Sequence, residues 1–401
     1  MSKSIVFIGH YSGGKQDFDT RHYFFAKELA SLGYKTTIIN AAFSHRIHDA
    51  KVINEPFIAH SDGDIKFFSI KTPFYKGNGF GRIVNMFAFV INLIRNTKKI
   101  LKEIGHIDTI VMATPQPFTI FAAKFISHKT KAKLIVEIKD IWPLEIIELA
   151  NVSKFHPFVL LLTIIEKIIY KFQDKLISPL ANINEYFSNI KTTNNAVYVP
   201  TGLDIGYYDS IKLDFVDNRL KDKFIVGYIG GLTASNCIDI LLDVACELKE
   251  QFPNIIFLVV GKGAQRDYLI GKYASSNIIF FDSVPKSEAF KIMTKCDILY
   301  KSSPDLNFYK YGLSPLKINE YMYAKTTIIH AFNIEKLDMI KKANCGLSIK
   351  TNDKLALKEA ILKIYNMSKD ERDKLGQNGW DYVRQNLSYE KIVKEFLIPV
   401  L

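Results

Sequence analysis

The chain has 401 residues, 48% hydrophobic and 23% charged, with 53 Lys and Arg against 41 Asp and Glu for a net charge of +12. That length is too great for one ordinary core and suits two domains of about 200 residues, while the composition excludes a disordered chain. The charge is uneven, with 25 basic against 16 acidic residues (+9) over residues 1–200 and 28 against 25 (+3) over residues 201–401, so the first half is expected to meet an anionic partner.

The chain opens on an apolar strand at residues 5–8, followed by Gly9-His10-Tyr11-Ser12-Gly13-Gly14. A helix at residues 20–32, stopped by Gly33, leads to a second strand at residues 35–39. This is a βαβ unit with a glycine-rich turn at the carboxyl end of its first strand, where open α/β sheets bind ligands. Residues 42–64 and 71–81 read as loops. Further strands are expected at residues 108–112 and 133–138, with helices at 82–104 and 118–127, a helix at 155–172 and a strand at 175–178. The helix at 82–104 has an apolar face ringed by Arg82, Arg95, Lys98, Lys99 and Lys102, a pattern that suits a core-facing helix or contact with anionic lipid. The 155–172 helix reads as buried.

Val199-Pro200-Thr201-Gly202-Leu203-Asp204 marks a domain boundary. The alternation then restarts, with strands at 224–229, 255–260, 278–281 and 297–300 and helices at 237–250 and 286–295. Residues 380–398 read as one terminal helix. The expected fold class is therefore α/β, with two doubly wound Rossmann-like domains facing across a cleft. Residues 1–200 form the first domain, joined by the terminal helix at 380–401, and residues 201–379 form the second.

The most informative stretch is Tyr311-Gly312-Leu313-Ser314-Pro315-Leu316-Lys317-Ile318-Asn319-Glu320. It reads as a tight loop feeding a helix, and the unpaired N–H groups of such a helix start, here those of Ser314 and Leu316 on either side of Pro315, suit a phosphate or diphosphate. Lys317 adds a cation in the first turn, and Glu320 is placed to accept hydrogen bonds from a ribose diol. The same residues also fit an ordinary loop–helix capped by Ser314, with Pro315 at the first helical position. Four cysteines (Cys237, Cys246, Cys296 and Cys345) without C-x-x-C spacing read as buried thiols of a reducing compartment. The N-terminus enters a strand at once, and the uncharged apolar runs at 83–94 and 155–165 are too short to span a bilayer. A cytoplasmic protein is expected. No metal-ligand cluster is seen, and the scattered basic residues exclude nucleic acid as the partner.

Taken together, these residues resemble the retaining glycosyltransferases of family 4, with the two-domain GT-B fold, and within them the WbuB-like branch of O-antigen and capsule synthesis. The resemblance rests on Tyr75-Lys76-Gly77-Asn78-Gly79, Ile138-Lys139-Asp140-Ile141-Trp142-Pro143, Val199–Asp204 as quoted, Val260-Gly261-Lys262-Gly263, the 311–317 stretch and Ala343-Asn344-Cys345-Gly346-Leu347. It implies transfer of a sugar, expected to be an N-acetylated hexosamine, from a nucleoside-diphosphate sugar, expected to be UDP-linked. The implied acceptor is a polyprenyl-diphosphate-linked saccharide in surface-polysaccharide assembly. Neither a cofactor nor a metal is expected, and the protein is expected to touch the anionic inner face of the cytoplasmic membrane.

By the resemblance, Gly13, Gly14, Gly230, Lys262, Gly263, Val284, Ser314, Pro315, Leu316, Lys317 and Glu320 bind the donor. Arg21 and His22 meet an acceptor phosphate, and Lys139, Asp140 and Lys317 serve catalysis. Glu145 and Glu148 read as a solvated acidic face. The chain also departs from the wider family. Gly312 stands where a glutamate is usual eight residues before Glu320, Lys139 replaces a histidine before Asp140, and the loop at residues 230–236 lacks the usual phosphate-gripping cations. These departures keep two other readings open: a non-catalytic scaffold of a glycan pathway, and a nucleotide-sugar 2-epimerase of the same fold.

Overall fold

Runs of consecutive apolar residues such as Ile5-Val6-Phe7-Ile8 are what a parallel strand covered on both faces requires. In the computed structural model such runs form two separate sheets, one in each of two units. The first unit comprises Met1–Thr201, Tyr311–Ser314 and Tyr389–Leu401, and the second Gly202–Lys310 and Pro315–Ser388. All residues are described except Met1, Gln16, Phe18, His48, Asp49, Asn78, Ser314 and Pro315, and the side chain of Glu335.

The first unit runs β1 (Ser4–Ile8), α1 (Arg21–Ser31), β2 (Lys35–Ala41), β3 (Phe57–Asp62), β4 (Ile65–Ile70), α2 (Phe80–Ile104), β5 (Thr109–Ala113), α3 (Thr119–Thr130), β6 (Lys133–Glu137), α4 (Leu144–Leu149), α5 (Pro157–Phe172), β7 (Lys175–Ser178), α6 (Ile183–Asn189) and β8 (Ala196–Tyr198). The sheet order is β3-β4-β2-β1-β5-β6-β7-β8. Among the described residues only the β3–β4 hairpin is antiparallel, with Asp62 opposite Ile65 across Gly63-Asp64. That hairpin lies partly within a stretch expected to be a loop: β3 is polar and exposed at an edge, so its sequence lacks the apolar signal of the inner strands.

The helix expected to be buried at 155–172 is buried on one side only. Val159, Leu162, Ile165 and Ile169 face the core, while Leu160, Leu161 and Ile164 are exposed, with Phe155 and Phe172 beside them. Likewise α2 buries Met86, Phe89, Val90 and Leu93 and exposes Phe80, Val84, Phe87 and Ile91. Between them lies α3, with Phe118 just before its start meeting the Phe87 ring at 4.7 Å and its Lys124 donating to the Phe172 carbonyl at 3.0 Å. Among the described residues no helix is long and apolar enough to cross a membrane.

The second unit runs α7 (Ile205–Asp209), β9 (Phe224–Ile229), α8 (Ile238–Leu248), β10 (Ile255–Val260), α9 (Arg266–Tyr273), β11 (Ile278–Phe281), α10 (Lys286–Met293), β12 (Ile298–Ser302), α11 (Leu316–Tyr323), β13 (Thr327–Ala331), α12 (Met339–Ala343), β14 (Gly346–Ile349), α13 (Lys354–Tyr365) and α14 (Lys369–Asn386). Its six parallel strands are ordered β11-β10-β9-β12-β13-β14, so the chain reverses direction across the sheet between β9 and β12. One face is packed by α10, α11 and α14, the other by α8 and α13.

The C-terminus corrects the expectation of one helix from residue 380 to 398. Helix α14 starts at a Ser368–Glu371 capping box and ends at Asn386. After Leu387-Ser388 the chain joins the first unit, where Tyr389, Ile392, Val393 and Leu397 pack with Phe24 and Phe25 of α1.

Candidate functional site

Parallel strands deliver their following loops to one edge of the sheet, and ligands of open α/β sheets bind at that edge beside the point where strand order reverses. In the second unit Gly230 and Gly231 follow β9, Lys262 and Gly263 follow β10, Val284 follows β11, and Lys317 and Glu320 lie on α11 just after β12. Most of the donor positions named from the sequence therefore share one edge. Ser314 and Pro315 lie outside the described residues, and α11 is described from Leu316.

Close backbone approach ties these loops together. Gly261 has φ +149°, and a Cβ there would stand 1.9 Å from the Gly230 oxygen; one on Gly263 would stand 2.1 Å from the Leu232 oxygen. The Lys317 ammonium lies 1.8 Å from where a Cβ on Gly230 would be, which fits glycine at that position. It donates to the Tyr228 hydroxyl at 3.3 Å, while that hydroxyl donates to the Gly231 carbonyl at 2.8 Å. Burial lowers the Lys317 pKa, opposed by the charge of Glu320. Among the described residues no carboxylate forms an ion pair with Lys317. Lys262 is exposed, and Val284 is half-buried against the core.

Glu320 is 12% exposed and bound on Oε1 by the Tyr208 hydroxyl at 2.6 Å and by Lys286 at 3.5 Å. Gly312, standing in the place of a family glutamate, has φ +137°, and a Cβ on it would lie 2.7 Å from Leu180 Cα. Positive φ and backbone contact together leave no room for a side chain, which accounts physically for the departure.

In the first unit, the residues expected to meet an acceptor phosphate are turned inward. Arg21 is 4% exposed and donates to Glu137 Oε1 at 2.6 Å, to the carbonyls of Pro200 at 2.6 Å and Val199 at 2.7 Å, and to Thr201. His22 uses both ring nitrogens, on Glu137 Oε2 at 3.0 Å and Ser12 Oγ at 2.8 Å. Burial opposes the Glu137 charge, but Arg21 and then His22 outweigh it and hold the carboxyl well below the usual range. This cluster anchors α1 to β6 and to the end of β8, so a phosphate contact is replaced by an internal ion pair.

Gly13 and Gly14 are also engaged internally: the Gly13 amide donates to the Asp19 carbonyl at 3.0 Å and the Gly14 amide to Asp17 Oδ2 at 2.6 Å. A cavity of about 360 Å³ opens beside Gly14 and Asp17, lined also by Asn40, Asp62 and Ser69. Lys139, expected to serve catalysis, is held by Asp19 at 2.6 and 2.7 Å. Asp140 follows, its pKa raised by burial against the pull of Lys139 and Arg46.

The structure also corrects one reading and adds two residues that were not singled out. Glu145 departs from the solvated face expected of it: burial, and then the charge of Asp140, push its pKa up to about 8. In the second unit Lys301, next to last in β12, and His330, next to last in β13, are register partners, 7% and 3% exposed. Lys301 donates to the Ser302 carbonyl and to Ser303 Oγ. Burial, and then the charge of Lys317, lower its pKa to about 8. His330 stacks on Phe332 at 5.0 Å, and neither ring nitrogen has a hydrogen-bond partner among the described residues. The signal for both was in the sequence, since each is a titratable residue closing an otherwise apolar strand.

Residues 209–381 match the family described as Glycosyl transferases group 1. No curated protein matches the chain. Among solved structures, the fold is similar to sucrose-phosphate synthase from Thermosynechococcus elongatus, with TM-score 0.73 at 15% identity over 98% of this chain and 97% of that one. It is also similar to WaaG, a glycosyltransferase involved in lipopolysaccharide biosynthesis, with TM-score 0.66 at 15% identity over 98% and 99% of the two chains. A third likeness is to the E. coli trehalose-6-phosphate structure bound with UDP-2-fluoro glucose, with TM-score 0.71 at 12% identity over 99% of each chain. Most of the second unit thus carries the group 1 glycosyl transferase match, and the whole chain has the two-unit α/β fold of GT-B glycosyltransferases.

Proposed function

We propose that the protein transfers a sugar, with retention of configuration, from a UDP-linked N-acetylhexosamine to a lipid-linked saccharide acceptor of surface-polysaccharide assembly. The observation that carries this reading is Lys317 lying over Gly230 with Glu320 one turn further on, inside the stretch that matches the group 1 family. A UDP-type donor is supported by the similar structure bound with UDP-2-fluoro glucose. The second unit holds the donor: amides at the start of α11 and Lys317 take the diphosphate, Glu320 takes the ribose diol, and Val284 lies beside the base.

In the reaction the acceptor hydroxyl oxygen bonds to the anomeric carbon from the side the leaving group departs, as the bond from that carbon to the diphosphate oxygen breaks. The hydroxyl proton passes to the departing diphosphate oxygen, so no enzymatic nucleophile is needed. Lys317 stabilises the charge that develops, and Asp140 orients the hydroxyl with Lys139 positioning it. The apolar and basic faces of α2, α3 and α5 support a resting place on anionic lipid near the lipid-linked acceptor.

The test is thermal stabilisation of the purified protein by a panel of nucleotides and nucleotide sugars, with and without Mg²⁺. A ligand at about 100 times its Kd adds about 2.7 kcal/mol. Stabilisation by UDP species, unchanged when metal is withheld, is expected. Absence of any shift across the panel would remove the donor reading.

A further inference from the structure

A departing diphosphate brings at least two negative charges, and this chain has no Lys or Arg between Gly230 and Asn236 to meet them. Lys317 supplies one cation and Lys262 is exposed on the next turn. The second unit nevertheless contains another, already at the right edge of its sheet. Lys301 is next to last in β12, and β12 and β9 are the two strands between which the order reverses.

Side chains alternate along a strand. Ile298 and Tyr300 belong to the core layer under α8, and Leu299 to the layer under α11. Lys301 and, by the same alternation on β13, His330 therefore point to the α11 side of the sheet. Lys317 is near enough for its charge to act on Lys301.

This arrangement is costly for the side chains alone. Among the described residues no carboxylate pairs with Lys301, a second ammonium lies close by, and an imidazole with two orphan nitrogens lies alongside. Buried charges and polar groups without partners are costly, and an anion would pair with both ammonium groups and accept from the one N–H of the imidazole. Phosphate oxygens accept from an ammonium and from the N–H of a neutral imidazole alike.

We propose that Lys301, backed by His330, is the second phosphate-binding cation of this unit and takes, with Lys317, the diphosphate charge that the 230–236 loop leaves unmet. This rests on the donor reading above. The alternative is a lysine that merely ties the end of β12 through the Ser302 carbonyl and Ser303 Oγ.

The experiment is calorimetric titration of the full-length protein with inorganic pyrophosphate, UDP and uridine, using wild type, Lys301→Met, Lys301→Gln and Lys301→Arg. Lys301→Met and Lys301→Gln are expected to weaken pyrophosphate and UDP about tenfold to a hundredfold, leave uridine unchanged, and raise the ligand-free Tm. Lys301→Arg is expected to recover most of the binding. Lys301→Gln keeps the side chain polar should the Met variant fold poorly. Pyrophosphate and UDP affinities within about twofold of wild type in the folded Met or Gln variant would overturn the assignment. Wild-type binding of pyrophosphate without UDP would leave Lys301 in place and overturn only the choice of nucleotide. A wild type that binds neither would overturn the assignment together with the donor reading.

Discussion

One turn of α11 separates Lys317 from Glu320, and the two side chains face different parts of the proposed donor, so their loss should be felt in different kinetic constants. Lys317 lies over Gly230 and acts on charge that grows as the diphosphate leaves, so Lys317→Ala should lower kcat about a hundredfold. Glu320 would hold the ribose equally in ground and transition states, so Glu320→Ala should raise the donor KM about tenfold with a smaller effect on kcat. Steady-state kinetics with a UDP-sugar would separate the two, and wild-type turnover in Lys317→Ala would remove that residue from the mechanism. Both residues stand out in the sequence because a loop, a cation and a carboxylate within ten positions form a local pattern. Arg21 was misread for the opposite reason: its partners Glu137, Val199 and Pro200 lie over a hundred residues away. Glu145 owes its raised pKa to burial and to Asp140, neither of which the helical pattern around it discloses.

Helices α5 and α6 are joined through one carboxyl. Glu166 Oε1 accepts from the Tyr170 hydroxyl at 2.8 Å on its own helix and from Tyr186 at 2.7 Å on α6. Burial pushes its pKa up from 4.5 to about 7, only partly opposed by the two tyrosines. The unfolded chain releases this proton near pH 4.5 whereas the folded one keeps it to about 7, so the fold binds more protons in between. Stability therefore falls as pH rises through that window, by about 3 kcal/mol at most. Glu166→Gln keeps an acceptor for both tyrosines and removes the titration, so the variant should gain on wild type between pH 5 and pH 8 in chemical denaturation. An equal loss in both proteins would place the pH dependence elsewhere. At this scale the sequence announced the inner parallel strands well, since burial on both faces leaves an unbroken apolar run. Strand β3 was read as loop despite the Asp62-Gly63-Asp64 turn after it, because an exposed edge strand has no apolar alternation to report. The break at Leu387-Ser388 was hidden because the chain on either side of it is helical.

The molecule's charge is concentrated where its apolar surface is. Helices α2, α3 and α5 carry nine Lys and Arg against two Glu, Glu103 and Glu166, and the second of these is buried. On the same helices Phe80, Val84, Phe87, Ile91, Phe121, Leu160, Leu161 and Ile164 are exposed. Apolar side chains ringed by cations are what an interfacial surface on anionic lipid needs: the lysines draw the protein to the headgroups, each worth about 1 kcal/mol near the surface, and the apolar groups enter the acyl boundary. Only α2 signalled this from its sequence. The α5 run is so apolar that it reads as buried, and only the fold reveals that Leu160, Leu161 and Ile164 are exposed. The two contributions can be separated in a vesicle sedimentation assay. Wild type should pellet with vesicles containing phosphatidylglycerol and much less with phosphatidylcholine alone, and raising salt from 0.05 to 0.5 M should release most of it by screening. Leu161→Asp with Ile164→Asp should abolish pelleting at low salt, because the charges remain but the inserted face is lost, while thermal stability changes little for residues already exposed. Equal pelleting of the double variant would assign the contact to charge alone, and no pelleting of wild type on anionic vesicles would end the membrane reading and leave the exposed face of α5 to a protein partner.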